Sequence, residues 1–298
     1  MKLDEIPRRV RRHWQRFNQK LLPPQEFQDS LALMLSAFEE AFFVGKNFLD
    51  GGIHLSQQVL YGQDYRRERL ARYQGQSRLV VMVPGYMETP RQFYRLERLL
   101  GLELFDAFTW VWADFPYSQD LTLSAEQLCD ALRDLLAEIR PREVYLLGHS
   151  QGGIIIRAAV QHGLAGGLPI KKCLFLSSPH QGTWAGLAAL PHRGVRQAAA
   201  LLPYIRKVQG ESGVQLIPGS RFLQELNARP LDPAIEWTSV YYSLDPMIWP
   251  PNNAILPYPE ARNHYIRKIG HAQPLYCSRA AQVAVRALYG ETASWTRP

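Results

Sequence analysis

Cysteine is scarce in this chain, which has only three cysteines among 298 residues. Cys129, Cys173 and Cys277 lie far apart and form no CxxC pair, so the sequence predicts neither a disulfide framework nor a cysteine-based metal or redox centre. Cys129 falls in a helical pattern and Cys173 in an apolar, strand-like run, where each is expected to act as a small core residue. We therefore expect a protein without a metal ion or another cofactor.

Long apolar runs are also missing. The most apolar stretch, from Ser30 to Phe43, is interrupted by Glu39 and Glu40 and is shorter than the roughly 20 apolar residues that span a bilayer. The basic residues near the first methionine are not followed by the apolar segment and small-residue cleavage site of a signal peptide. These absences favour a cytoplasmic protein, with peripheral membrane contact left open.

No basic stripe interleaved with aromatic residues runs through the chain, so we expect no nucleic-acid partner. The net charge of +7 comes mostly from residues 1–20, which hold seven Lys or Arg and two acidic residues. The apolar residues of this segment recur at helical spacing: Ile6, Val10, Trp14, Phe17 and Leu21. Residues 1–22 thus predict a basic amphipathic helix, which either contacts an anionic membrane surface or packs on the rest of the protein.

The chain as a whole divides into a helical N-terminal extension, residues 1–75, and a larger domain, residues 76–298. In the larger domain, six short apolar runs alternate with helical segments. The runs are Leu79–Val83, Thr109–Ala113, Val144–Leu147, Lys172–Leu176, Trp237–Tyr242 and Tyr265–Ile269. Because these runs are apolar almost throughout, they predict strands buried on both faces, as in a parallel sheet. The fold class is therefore α/β, with a doubly wound, mostly parallel sheet.

The alternation stops between residues 184 and 233. Short helical pieces rich in Ala and Leu occur there instead, including Gly186–Leu190 and Val195–Tyr204. A long insertion between strands is a candidate for a lid that covers the site and selects the substrate. The alternative is a helical insertion that completes the core.

One motif in the chain carries chemistry, the GxSxG pentapeptide from Gly148 to Gly152. Its three fixed positions would occur by chance in about one chain in ten of this size. Here, however, the apolar run Val144–Leu147 comes immediately before the motif, and a strongly apolar helical segment comes immediately after it. This context predicts a sharp strand-to-helix turn that exposes the Ser150 hydroxyl as a nucleophile.

With this motif in place, the stretch from Leu79 to Tyr289 resembles the lipase-like serine esterase branch of the α/β-hydrolase superfamily. The resemblance implies that an acid and then a base follow the nucleophile in the chain. His271 matches the family's Gly-His, and Asp245 follows the predicted strand Trp237–Tyr242. The alternatives are a hydrogen-bonded surface histidine and an aspartate that caps a turn. His264 is set aside because it precedes the last predicted strand.

The same resemblance assigns an oxyanion hole and a substrate pocket. The hole would use the backbone amides of Tyr86 and Gln151, with Met87 as the fallback donor. The loop departs from the family pattern, because Pro84 stands where a histidine is usual. The pocket residues would be His149, Pro179 and His180, and His180 is also the runner-up base. No carboxylate for a structural calcium ion follows His271 in residues 272–277.

These residues predict a serine hydrolase that cleaves carboxylic esters of lipid or acyl type through an acyl-enzyme. A thioesterase or an acyltransferase would use the same three residues. The alternative of another class is a membrane- or partner-binding protein that keeps the fold without the chemistry.

Overall fold

The computed structural model describes residues 77–88, 90–93, 96–97, 107–112, 115–184, 198–267, 269–276 and 278–289. The predicted N-terminal extension, residues 1–75, lies outside the described residues, as does the basic segment 1–22. The predicted helical piece Gly186–Leu190 and Cys277 also lie outside them. No helix in the described ranges is both long and apolar enough to cross a membrane.

In the described part of the chain, the core is a six-stranded, fully parallel sheet with the strand order β2-β1-β3-β4-β5-β6. The strands are β1 (Arg78–Val83), β2 (Ala107–Val111), β3 (Glu143–His149), β4 (Ile170–Leu176), β5 (Glu236–Tyr242) and β6 (Arg262–Ile266). The predicted doubly wound α/β class is confirmed, and each of the six predicted strands overlaps an observed one.

The sheet is buried on both faces. Along β1, Leu79, Val81 and Val83 contribute to one hydrophobic core, whereas Val80 and Met82 contribute to the other. Successive residues of a strand point to opposite faces, so a strand covered on both sides must be apolar at every position. This requirement explains why β1 is a continuous apolar run rather than an alternating one.

Helices cover the two faces and fill the connections between strands. The helices are α1 (Leu121–Ile139), α2 (Gln151–Gln161), α3 (Ala198–Gln215), α4 (Arg221–Asn227), α5 (Gln273–Tyr276) and α6 (Ser278–Tyr289), with short 3-10 helices at Pro90–Phe93 and Pro251–Ala254. Residues of α1 and α2 belong to one core, and residues of α5 and α6 belong to the other. Cys129 on α1 and Cys173 on β4 are both buried, as predicted.

The bounds of the last strand differ most from the prediction. It spans Arg262–Ile266 rather than Tyr265–Ile269, so His264 lies within β6 and not before it. Among the described residues, β6 pairs only with β5, at the edge of the sheet, and its side chains are exposed or only partly buried. A search for continuous apolar runs therefore misplaces its bounds.

The described part of the predicted insertion contains α3 and α4. Helix α3 is interrupted at Gly210, where φ is 75° and ψ is −167°. A Cβ atom at this position would lie 2.1 Å from the carbonyl oxygen of Ser118. Beyond the interruption, the Gln215 side chain donates to Asp120 and accepts from the Leu121 amide. These bonds attach the second half of α3 to the start of α1.

Candidate active site

Ser150 occupies the turn between β3 and α2. Its backbone has φ 52° and ψ −124°, a conformation that costs a non-glycine residue on the order of 1–3 kcal/mol. A Cβ atom at Gly152 would lie 2.1 Å from the Val83 oxygen, and one at Gly148 would lie 2.4 Å from the Gly153 Cα. Both motif glycines are thus required by backbone packing, as expected for this kind of turn.

Backbone hydrogen bonds join the loops that follow neighbouring strands. The Ser150 amide donates to the Leu176 carbonyl at the end of β4, at 2.9 Å. In the same way, the Ser177 amide donates to Val240 on β5 and the Ser243 amide donates to Ile266 on β6. In a parallel sheet these carboxyl ends share one edge. The loops that carry the three predicted catalytic residues therefore meet at that edge.

Asp245 and His271 form a buried pair. Asp245 is 2% exposed and His271 is 6% exposed, and the Nδ1 atom of His271 lies 2.9 Å from Oδ2 of Asp245. The other carboxylate oxygen accepts hydrogen bonds from the amides of Met247 and Ile248, each at 2.9 Å. Asp245 follows strand β5. Its carboxylate contacts His271 and also caps the turn in which Asp245 itself lies.

Ser177 completes the environment of this carboxylate by donating its hydroxyl to Oδ2 of Asp245. It follows β4 directly and has a positive φ of 49°. A carboxylate with four donors is held firmly as an acceptor. The His271 Nδ1 must then carry the ring proton, so Nε2 is the nitrogen that can accept one.

A second buried carboxylate–histidine pair lies beside the first. Oε1 of Glu88 is 2.6 Å from Nδ1 of His149, close but not aligned as an ideal hydrogen bond. Oε2 of Glu88 accepts from the Gly85 amide at 2.6 Å. On its other side, Nε2 of His149 lies 3.0 Å from the His271 carbonyl oxygen, and the two imidazole rings are 4.8 Å apart.

The predicted oxyanion loop is a tight turn over residues 85–88. The Glu88 amide donates to the Gly85 carbonyl, and Met87 has a positive φ of 57°. A Cβ atom at Gly85 would lie 2.8 Å from the Ser150 Cβ, so this turn packs directly on the nucleophile. None of the described residues accepts a hydrogen bond from the Tyr86 amide.

Gln151, the other predicted donor, is the first residue of α2. Amides in the first turn of a helix have no acceptor within the helix, and the positive end of the helix dipole lies there. The Gln151 side chain itself is occupied, because it donates to the Tyr117 carbonyl at 2.8 Å.

A cavity of about 130 Å³ opens beside Ser150. Its wall is mostly apolar and comes from five parts of the chain: Tyr86, Ser150, Gln151, Pro179, Thr183, Ile205, Gln209, Gly213, Leu216, Ile217, Met247 and Ile248. Five of these residues belong to the predicted lid, residues 184–233. The predicted pocket residue Pro179 lines the cavity, whereas His149 and His180 do not, which corrects that part of the prediction.

His180 is fully buried next to Arg157 rather than near the reacting atoms. Its Nδ1 lies 3.4 Å from the guanidinium of Arg157, which can only donate. Burial, and then the charge of Arg157, lower the pKa of His180 well below its ordinary value of 6.5. His180 is thus a neutral histidine that accepts from Arg157 and shapes the turn after β4. Its geometry does not favour it as the catalytic base.

Arg157 was not expected from the sequence to have any special role. The guanidinium is fully buried on α2 and donates to Gln161, Asn227 and Tyr258. Within the described ranges, no carboxylate lies within ion-pair distance of it. Burial lowers the pKa of Arg157 to about 10, so it stays charged at neutral pH. Because Asn227 ends α4, this cluster attaches the insertion to the helix that follows Ser150.

Glu88 and Ser177 were likewise missed. Glu88 lies in a turn and Ser177 directly after β4, and neither belongs to the motif or to an apolar pattern. The signal for Ser177 is its position at the carboxyl end of a buried strand, where polar side chains often serve a site. As for metal sites, the described part of the chain holds no group of three or more His, Cys, Asp or Glu side chains placed to bind an ion.

Comparison with solved structures identifies the fold. Lipase B of Aspergillus fumigatus superposes with a TM-score of 0.55 at 18% identity, covering 72% of this chain and 52% of the lipase. Lipase BlEst2 of Bacillus licheniformis in its mature form gives 0.55 at 15% identity, covering 72% of this chain and 92% of that one. The chain therefore spans about half the length of the first of these enzymes.

At these identities the structural likeness concerns the fold alone. No curated protein matches the sequence at a significant level. The family model described as "Alpha/beta hydrolase family" matches residues 80–293, a range that includes every strand of the sheet except the first two residues of β1, and every residue of the candidate site. The chain is a member of the alpha/beta hydrolase family.

Proposed function

We propose that this protein is a serine hydrolase that cleaves carboxylic esters with an apolar acyl or alcohol part. One observation carries the proposal. A serine in a strained strand-to-helix turn shares the edge of the sheet with a buried aspartate–histidine pair, and a mostly apolar cavity opens beside that serine. This combination fits nucleophilic catalysis at a carbonyl group.

In the proposed reaction, Nε2 of His271 takes the Ser150 proton as Oγ attacks the ester carbonyl. Asp245 accepts the Nδ1 proton of His271, fixes the tautomer and stabilises the imidazolium that forms. The negative oxygen of the tetrahedral intermediate would lie between the Tyr86 and Gln151 amides, the latter at the positive end of α2. The imidazolium then protonates the leaving alcohol, and water cleaves the acyl-enzyme by the same steps in reverse order.

The cavity favours an apolar substrate group. Ile205, Leu216, Ile217, Met247 and Ile248 all contribute to its wall, and burial of each methylene of a bound chain stabilises the complex by about 0.8 kcal/mol. A volume of about 130 Å³ accommodates a short acyl chain without movement of the insertion. A panel of p-nitrophenyl esters of increasing chain length is expected to show an optimum in kcat/KM at short chains.

Labelling with a fluorophosphonate tests the nucleophile directly. We expect one adduct on Ser150 in the folded protein, and we expect Ser150→Ala to abolish both the adduct and the esterase activity. Ser178→Ala is the matched control, since it removes a buried hydroxyl that has no hydrogen-bond partner among the described residues. Full esterase activity in Ser150→Ala would overturn the proposal, and a folded wild-type protein without an adduct would favour a non-catalytic role.

Thioester substrates and acyl acceptors other than water would use the same residues. Parallel assays with an acyl thioester, and with an alcohol added to the ester assay, separate these activities by their products.

We further propose that residues 1–22 give the protein peripheral contact with an anionic membrane surface on the cytoplasmic side.

A further inference from the structure

The pair formed by Glu88 and His149 has no part in the proposed reaction. Both side chains are almost completely buried, with 7% of Glu88 and none of His149 exposed. The pair lies between two segments that the reaction does use. Glu88 holds the Gly85 amide, and His149 meets the backbone carbonyl of His271.

The His149 ring contacts both segments at once. The His271 carbonyl can only accept, so Nε2 of His149 is the donor across that 3.0 Å contact. On the opposite side of the ring, Nδ1 faces the Glu88 carboxyl oxygen at 2.6 Å. The ring therefore fills the space between the Glu88 carboxyl group and the His271 carbonyl.

We propose that Glu88 and His149 are positioning residues that fix the oxyanion turn, residues 85–88, relative to the loop of His271. This inference rests on the proposed function, since it assigns the purpose of the pair in the same site. The connection runs from the Gly85 amide through the Glu88 carboxyl group and the His149 ring to the His271 carbonyl. Ser150 follows His149 directly in the chain. The positions of the nucleophile, the turn and the base therefore all depend on the His149 ring.

Loss of the connection should affect the chemical step more than substrate binding. In Glu88→Ala, the Gly85 amide loses its acceptor and the turn is free to move away from Ser150. Displacement of one oxyanion donor lowers kcat by about 10²–10³-fold. KM should change little, because Tyr86 is the only residue of the turn that lines the cavity.

Glu88→Gln is the conservative variant. Its amide oxygen can accept from Gly85, and its NH2 group can donate to Nδ1 of a neutral His149 whose Nε2 still donates to His271. All three contacts are then kept. We expect Glu88→Gln to recover most of the kcat that Glu88→Ala loses. If both variants lose kcat equally, the contacts are not what matters and the proposal is wrong.

A second measurement does not depend on ester hydrolysis. In Glu88→Ala, amide hydrogen exchange read by mass spectrometry should accelerate together in residues 85–88 and 269–272. His149→Gln removes the ring and should produce the same joint change, which keeps the test decisive if Glu88→Ala fails to fold. Glu126→Gln, at an exposed position on α1, is the control and should alter neither segment. Unchanged exchange in both segments would overturn the proposal.

The two proposals fail in different ways. If the wild-type protein takes no fluorophosphonate and cleaves no ester, the proposed function fails, while the joint exchange response still tests the connection. If the wild-type protein is active and Glu88→Ala keeps its kcat, the function stands and the positioning role is refuted.

Discussion

Replacement of Asp245 by asparagine is the most informative single change, because the structure separates its effect on catalysis from its effect on folding. The carboxylate has two different tasks. Oδ1 accepts from the Met247 and Ile248 amides, and Oδ2 accepts from His271 and Ser177. Asparagine can still accept from the Met247 and Ile248 amides through its amide oxygen. Toward His271 and Ser177, however, it presents an NH2 group, which donates where the carboxylate accepted.

The NH2 group that replaces Oδ2 determines the effect on catalysis. A donor facing Nδ1 of His271 turns that nitrogen into an acceptor, which moves the ring proton to Nε2. The base then cannot take the Ser150 proton. A wrong tautomer of this kind lowers kcat by about 10⁴-fold, which corresponds to about 5.4 kcal/mol of transition-state stabilisation. The Ser177 hydroxyl can rotate to accept from the new NH2 group, so no buried polar group is left unpaired there.

Asp245→Ala provides the contrast in stability. It leaves the Ile248 amide without its acceptor in a buried site, at a cost of about 1–3 kcal/mol, whereas the Met247 amide is only partly buried. The free energy of unfolding in urea should therefore fall by about 1–3 kcal/mol in Asp245→Ala and change far less in Asp245→Asn. Both variants should lose kcat on a p-nitrophenyl ester. If Asp245→Asn keeps more than about a tenth of kcat, Asp245 is not the partner of the catalytic base.

Three further changes test other parts of the structure. Gly85→Ala brings a Cβ atom within 2.8 Å of the Ser150 Cβ, so kcat should fall by at least about 10²-fold with little change in KM; an unaltered kcat would contradict the packing of the turn on the nucleophile. Because the pKa of folded His180 lies well below its ordinary 6.5, the unfolded chain takes up a proton that the folded protein does not. The free energy of unfolding in urea should thus fall between pH 7 and pH 5, by up to about 1.4 kcal/mol per pH unit from this residue, and His180→Gln should have a shallower slope; equal slopes would refute this assignment. Deletion of residues 1–22 should reduce sedimentation with anionic lipid vesicles and leave neutral vesicles unaffected, and unchanged binding would reject the membrane role.

Much of the fold could be predicted from local sequence, for a physical reason. A strand buried on both faces must be apolar at each position, and a helix buried on most sides, such as α2, must be apolar almost all round. The prediction failed at β6, where the edge position relaxes this requirement, and its boundary was placed three residues too late. The GxSxG motif is also recognised locally, although only Gly148 is required by a contact within the turn, with Gly153, whereas Gly152 is required by its contact with Val83 on the neighbouring strand β1.

The candidate residues Asp245 and His271 could be selected from the sequence only through chain order and family resemblance. The contact between them depends on how the loops after β5 and β6 meet. Pro179 lines the cavity, whereas His149 and His180 contact buried partners away from it. Their directions are set by which faces of the sheet and of α2 are covered, and a motif does not contain that information.

The sequence by itself determined the parallel sheet and the turn that carries Ser150, because both are marked by patterns of residues close together in the chain. Only the tertiary structure decided the surroundings of that serine. Glu88 meets His149, and Ser177 meets Asp245, across about sixty residues or more of chain in each pair. Such polar pairs form where loops from different strands meet in a buried space, and burial is what obliges each donor and acceptor to find a partner.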